Sequence, residues 1–104
     1  MSQQSEAGFD IQEIDEVIHG RVRLGIMAYL SSGGVADFGE LKARLQTTDG
    51  NLSVHLRKLE EAGFIKVDKI FQGRKPLTRA SLTQSGREAF VTYLDQISRL
   101  ISQR

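Results

Sequence analysis

The chain has 104 residues, 39% of them hydrophobic, and a formal net charge of +1. This is a common size for one domain, so we expect a single hydrophobic core. The absence of cysteine excludes disulfides and thiolate metal or redox sites, and no run approaches the roughly 20 apolar residues that span a bilayer, so we expect a cytoplasmic protein without a membrane partner.

The first third of the chain is predicted to be a flexible segment followed by two helices. Residues 1–10 are polar and rich in Ser and Gln, and we expect them to be flexible. Apolar residues recur at helical spacing in the segment 11–19, which predicts a first helix. Gly20 predicts a bend, and a second helix is expected to end in the Ser/Gly run 31–34.

Residues 37–62 are predicted to form a helix-turn-helix. Asp37, with Glu40 three positions later, has the spacing of a capping box at the start of its first helix. Thr48 is predicted to cap the second helix. Gly63 stands where a left-handed residue commonly ends a helix.

Residues 64–82 are predicted to form a β-hairpin, or wing. β-branched and aromatic residues dominate its first strand, and a turn with the single proline precedes its second strand. Thr83 is predicted to cap a last helix over 83–102. These elements predict one winged helix-turn-helix domain over 11–104. Its fold class is α+β, mainly α with a small β-hairpin. We expect the N-terminal and C-terminal helices of the domain to form a dimer surface.

The charges are unevenly distributed along the chain. Ten Lys or Arg against four Asp or Glu leave the segment from Lys42 to Arg87 at +6, whereas seven acidic residues and two arginines precede it. A positive segment favours a polyanionic partner, because phosphate neutralisation supplies most of the non-specific binding energy. A solvated basic surface is the ordinary alternative, so the motifs must decide between the two.

The helix 48–62 is the predicted recognition helix, because a helix about 10–12 Å across fits the major groove of double-stranded DNA. Leu52, Leu56 and Leu59 share one arc and predict its core-facing side, and the opposite side is small, polar and basic. Residues 69–79 of the wing are expected to contact the phosphate backbone of the DNA beside that groove. The candidate DNA-binding residues are Thr48, Gly50, Asn51, Ser53, Val54, Arg57, Lys58, Lys69, Gly73, Arg74, Lys75 and Arg79.

The run from Thr48 to Ile65 resembles the recognition helix of MarR/ArsR-type winged-helix regulators, above all the short single-domain group related to MarR. The resemblance covers roughly residues 15–101 and continues through Gly73-Arg74-Lys75-Pro76-Leu77-Thr78, Leu82-Thr83 and Gly86-Arg87. It implies a homodimer that binds DNA sequence-specifically and regulates transcription, and it allows an unidentified small-molecule effector. Many relatives have a basic or polar residue at the position of Val54, so no base preference is implied. With two histidines and no cysteine, neither metal sensing nor any cofactor is expected.

The last helix carries a wide apolar stripe that persists to the chain end, where little of a small domain remains to cover it. The stripe packs either on its own domain or against a second copy. A two-fold dimer would match the two half-sites of a palindromic operator. The predicted homodimer surface consists of Ile11, Ile14, Phe90, Tyr93, Leu94, Ile97, Leu100 and Ile101.

Two alternatives stay open from the sequence alone. His55 lies on the flank of the predicted recognition helix, either as a packing residue or as a phosphate contact. The rival function is a winged-helix protein–protein interaction module without DNA binding, which Val54, the acidic pair at 60–61 and the net charge near zero favour. An enzyme is not expected, because no nucleophile–base pair or phosphate-binding loop stands out.

Overall fold

The computed structural model describes residues 11–102, so the predicted flexible segment 1–10 lies outside the described residues. A 3-10 turn at Ile11–Glu13 comes first. The following elements are α1 (Arg21–Gly33), β1 (Val35–Asp37), α2 (Phe38–Leu45), α3 (Asp49–Glu61), β2 (Ile65–Gln72), β3 (Lys75–Leu82) and α4 (Gln84–Ile101). The strands form one antiparallel sheet in the order β1-β3-β2. The fold is therefore a winged helix, and the predicted α+β class is confirmed.

The predicted helix over 11–19 is wrong. Beyond the 3-10 turn, the Asp15 carboxylate accepts hydrogen bonds from the backbone N–H groups of Val17 at 2.8 Å and Ile18 at 3.3 Å. A side chain that bonds its neighbouring backbone in this way competes with helix formation. The apolar spacing still has a structural role, because Ile14 and Ile18 are buried in the core.

The helix-turn-helix has the predicted caps. The Asp37 carboxylate accepts the Glu40 N–H at 2.8 Å, and the Glu40 carboxylate accepts the Asp37 N–H at 3.4 Å, which completes a capping box. The Thr48 hydroxyl oxygen accepts the Asn51 N–H at 3.2 Å and caps α3. Gln46, with φ +51, ends α2 and turns the chain toward α3.

The end of α3 is joined to the start of α4 by a short hydrogen-bonded junction. Gly63, with φ +82, donates to the Glu60 carbonyl, and Phe64 donates to the Leu59 carbonyl, which is the Schellman pattern. The Thr83 hydroxyl donates to the Gly63 carbonyl at 2.6 Å and accepts the N–H of Gly86 at 2.9 Å. These hydrogen bonds hold the start of β2 and the end of β3 close to the ends of the two helices.

One hydrophobic core joins the helices to the sheet. All three predicted leucines of α3 are buried in it, together with residues of α1, the sheet and α4. Its fully buried large side chains are Ile18, Ile26, Met27, Leu30, Leu41, Leu52 and Leu59. None of the helices within residues 11–102 is long and apolar enough to cross a membrane.

The sheet has two faces, and its register assigns each wing residue to one of them. Strand β1, which the sequence did not indicate, pairs Ala36 with Ala80, and β2 pairs Val67 with the same residue. Side chains alternate along a strand, and directly paired residues share a face. The inner face, toward the core, therefore carries the odd-numbered residues 65–71 of β2 and the even-numbered residues 76–82 of β3. The outer face carries the remaining residues of the two strands.

Candidate nucleic-acid interface

The N-terminal turn of α3 presents polar groups to solvent. Thr48, Gly50, Asn51 and Ser53 are all exposed. The Thr48 oxygen is used as the cap acceptor, which leaves its O–H to donate. The Asn51 side-chain N–H donates to the Thr47 hydroxyl at 2.9 Å, so this amide is held over the first turn. A helix N-terminus lined with hydroxyl and amide groups favours an anion such as phosphate.

A groove runs between α3 and the wing. Its walls are Ser53, Arg57 and Glu60 of α3 and Val67, Lys69 and Thr78 of the sheet's inner face, over a floor of Phe38 and Leu56. Three of the predicted DNA-binding residues, from two separate elements, therefore line one surface: Ser53, Arg57 and Lys69. We call this surface the α3–wing groove.

Lys58 lies on the other flank of α3. It lines a shallow pocket with Arg23 of α1, Glu16 and Glu61. Adjacent helix positions are about 100° apart, so Arg57 and Lys58 diverge although they are neighbours in sequence. Val54 is exposed between the two flanks.

His55 faces the interior side of that second flank. Its Nδ1 atom is buried and has no hydrogen-bond partner. Burial, and after it the positive charges of Arg23 and Lys58, lower the pKa of His55 below its ordinary value. These observations favour the packing role for His55, because a neutral, half-buried imidazole is a poor phosphate contact.

The cations of the wing lie on both faces of the hairpin. Gly73, with φ +66, opens a two-residue turn that places Arg74 at the tip. Lys69 is on the inner face, toward α3, whereas Lys75 and Arg79 are on the outer face, where Arg79 pairs across the ladder with Asp68. The wing therefore presents positive charge around its tip and not along one side.

None of the six predicted DNA-binding cations forms an ion pair among residues 11–102. Those six are Arg57, Lys58, Lys69, Arg74, Lys75 and Arg79. The ion pairs that do form there neutralise other cations: Lys42 with Asp49 at 2.8 Å, Lys66 with Asp68 at 3.9 Å and Arg99 with Asp95 at 3.5 Å. The charge at α3 and the wing is thus available to phosphates.

The family model described as a winged helix DNA-binding domain matches residues 22–101 of this chain. The chain belongs to this family. An uncharacterized protein of Methanocaldococcus jannaschii is 40% identical over 86 residues, which are 82% of this chain and 92% of that protein.

Solved structures show the same winged helix fold. A transcriptional regulator homologue from Pyrococcus horikoshii OT3 superposes with a TM-score of 0.80 at 33% identity, over 85% of this chain and 87% of that one. A MarR-family transcriptional regulator from Silicibacter pomeroyi superposes with a TM-score of 0.64 at 20% identity, over 88% of this chain and 58% of that one. The resemblance to winged-helix DNA-binding proteins is confirmed by the family model and by the Pyrococcus horikoshii structure, and the MarR-family structure shares the fold.

The residues predicted as a dimer surface divide into two groups in the winged helix domain. Ile14, Phe90 and Tyr93 are buried in the core of the protomer, and Ile97 and Leu100 pack partly against it. Ile11, Leu94 and Ile101 are exposed. The Tyr93 hydroxyl also lies within hydrogen-bond distance of Nδ1 of His19, at 3.0 Å. Only the exposed group has substantial apolar surface to offer a partner.

Sequence reasoning missed three residues whose position in the winged helix domain bears on binding. Arg23 of α1 stands beside Lys58, Phe71 protrudes from the wing, and Val91 is exposed on α4 one turn before Leu94. The alternation of β2 would have placed Phe71 on the same face as Lys69 once the register was known. No group of three or more His, Cys, Asp or Glu in the described part of the chain is placed to bind a metal ion.

Proposed function

We propose that this protein is a homodimeric, sequence-specific DNA-binding regulator of transcription. In this proposal, α3 enters the major groove and the wing lies on the flanking backbone. The observation that carries the proposal is the α3–wing groove, in which Arg57 of the helix and Lys69 of the hairpin line one surface. A duplex that contacts one of these cations passes within reach of the other.

Each exposed group of α3 has a chemical partner on DNA. Arg57 can donate two hydrogen bonds to a guanine edge, Asn51 can pair with adenine, and Val54 can contact a thymine methyl. Thr48 and Ser53, at the N-terminal end, are suited to donate to phosphate. Base contacts supply the sequence preference, and phosphate contacts fix the register of the helix on the duplex.

The test is a gel-shift titration with the DNA directly upstream of the protein's own gene and with a scrambled duplex of equal length. The wild type is expected to prefer the upstream DNA. Arg57→Ala should weaken this binding by about tenfold or more, because a bidentate contact to guanine is lost. The matched control is Arg99→Ala, which removes the same charge from α4, where Arg99 pairs with Asp95.

Equal affinity of the wild type for both duplexes would contradict sequence-specific binding. If Arg57→Ala and Arg99→Ala weakened DNA binding equally, the placement of α3 in the major groove would be contradicted, because only the overall charge of the protein would then matter.

A protein–protein interaction module is the second candidate, and one observation favours it. Glu60 lines the α3–wing groove beside Arg57, so this surface carries an acid as well as cations. A mixed-charge groove suits a protein surface better than a phosphate backbone. Failure of the wild type to shift either duplex would favour this candidate.

A further inference from the structure

We propose that Phe71 and Pro76 form an apolar wedge that the wing inserts into the minor groove of DNA, next to the base pairs that α3 contacts. This inference rests on the proposed function and assigns a role to a part of the wing that carries no charge.

Phe71 is the most exposed aromatic side chain of residues 11–102, with 73% of its surface accessible. It pairs directly with Pro76, which is also exposed, at the second ladder position from the Gly73–Arg74 turn. Both are on the inner face of the sheet, the face that also carries Lys69 in the α3–wing groove. The ring therefore points to the side of the wing on which α3 lies.

Pro76 restricts the backbone opposite the ring. Strand β1 pairs only with residues 79–81 of β3, so at Pro76 the strand has β2 as its single neighbour. A proline is tolerated at such an edge, and its ring fixes the backbone angle φ. A rigid apolar pair loses little conformational entropy when it is inserted between other groups.

The surroundings of the pair identify a polyanion as its partner. Lys69 is on the same face as the pair, Arg74 is in the turn and Lys75 follows the turn on the outer face, and none of the three forms an ion pair within the described chain. The acid nearest in the ladder, Asp68, is on the opposite face of the hairpin. An apolar tip with a rim of cations complements a groove with phosphates along both edges, whereas an apolar protein surface would leave these charges without partners.

The minor groove of DNA fits this tip. It is about 6 Å wide, and Phe and Pro are among the side chains that proteins insert between its base steps, which kinks the duplex. The free energy spent on unstacking is offset because bent DNA contacts more of the protein surface. The wedge would therefore couple contact at the wing to a bend in the DNA.

The experiment measures affinity, salt dependence and DNA bending together. The fragment upstream of the protein's own gene is used, with bending read from circularly permuted fragments on a gel. The variants are Phe71→Ala, Phe71→Leu as the conservative replacement, and Val35→Ala as a control that removes exposed apolar surface elsewhere on the sheet. Urea unfolding establishes that each variant is folded.

The wild type is expected to bend the fragment. Phe71→Ala should bind about tenfold more weakly and lose the bend, with at most a small decrease in the salt dependence of affinity, because Phe71 itself contacts no phosphate and only the contacts that bending adds are lost. Phe71→Leu should retain most of the bend, and Val35→Ala should behave as the wild type.

Three outcomes would overturn the wedge. If Phe71→Ala binds and bends as the wild type does, Phe71 is not inserted, and the proposed function stands. If Phe71→Ala without DNA changes the oligomeric state, the patch is covered by a second copy of the chain. If the wild type does not bind the fragment at all, the proposed function itself fails.

Discussion

Among the glycines of residues 11–102, Gly86 is the one at which an added side chain would meet the closest atom. A Cβ atom built there would lie 1.9 Å from the carbonyl oxygen of Phe64, which is backbone and cannot rotate away. The same carbonyl accepts the N–H of Thr83, so the start of α4 is held against the end of α3. The lack of a side chain at Gly86 therefore allows the start of α4 to pack closely against the chain between α3 and the wing.

We predict that Gly86→Ala destabilises the protein by about 2–4 kcal/mol, because the start of α4 must move away from Phe64 to make room. The matched control is Gly50→Ala in α3, where an added Cβ meets no atom within 4 Å. That change should stabilise the protein by up to about 1 kcal/mol, through helix propensity. The free energy of unfolding in urea measures both, and similar values for the two variants would contradict the close approach.

Among the elements, the wing combines two kinds of surface. Its tip carries Arg74 and Lys75, and its register sends Lys69 toward α3 and Arg79 to the outer face. A hairpin with cations on both faces reaches phosphates on either side of a groove. It has less positive charge to offer a partner that contacts one face only.

We predict that Arg74→Ala combined with Lys75→Ala makes the negative slope of log K against log salt shallower by about two for each bound protomer, because each lost phosphate contact removes close to one released counterion. The control is Lys66→Ala, since the Lys66 ammonium already pairs with Asp68. Binding constants over a series of salt concentrations provide the measurement. An unchanged slope in the double variant would mean that the tip does not contact phosphate.

In the whole molecule, α4 has more apolar surface than its own protomer covers. Phe90 and Tyr93 face the core, but Val91, Leu94 and Ile101 are exposed, with 62%, 49% and 80% of their surface accessible. These three, with Ser98 between them, recur at spacings of three and four residues, as along the seam of two packed helices. We infer that this stripe, together with the exposed Ile11, is the homodimer surface.

We predict that Leu94→Gln combined with Ile101→Gln yields a monomer in sedimentation experiments. Its affinity for the upstream DNA should fall about 100-fold, because the two half-sites are then bound independently. Both replacements are uncharged, so electrostatic attraction to DNA is unaltered. Thr92→Gln, an exposed change on another side of α4, is the control and should leave the dimer intact. A dimer that persists in the double variant would show that another surface joins the protomers.

The sequence by itself determined the elements whose signals are local. The capping box at Asp37, the hydroxyl caps of α3 and α4 and the left-handed Gly63 all occur as predicted, because each depends on residues within a few positions. The buried face of α3 also follows from spacing alone. Local competition explains the one wrong helix, where Asp15 bonds to its neighbours instead of leaving the backbone to a helix.

Tertiary structure alone decided which residues share a surface. Strand β1 forms because β3, some 40 residues later, supplies its partner. The register of β2 and β3 sends Lys69 and Phe71 toward α3 and Arg79 away from it, and packing places Lys58 beside Arg23 of α1 and Arg57 beside the wing. The physical reason is that hydrogen-bond pairing and core packing join distant parts of the chain, whereas spacing along the sequence specifies only the face of a single element.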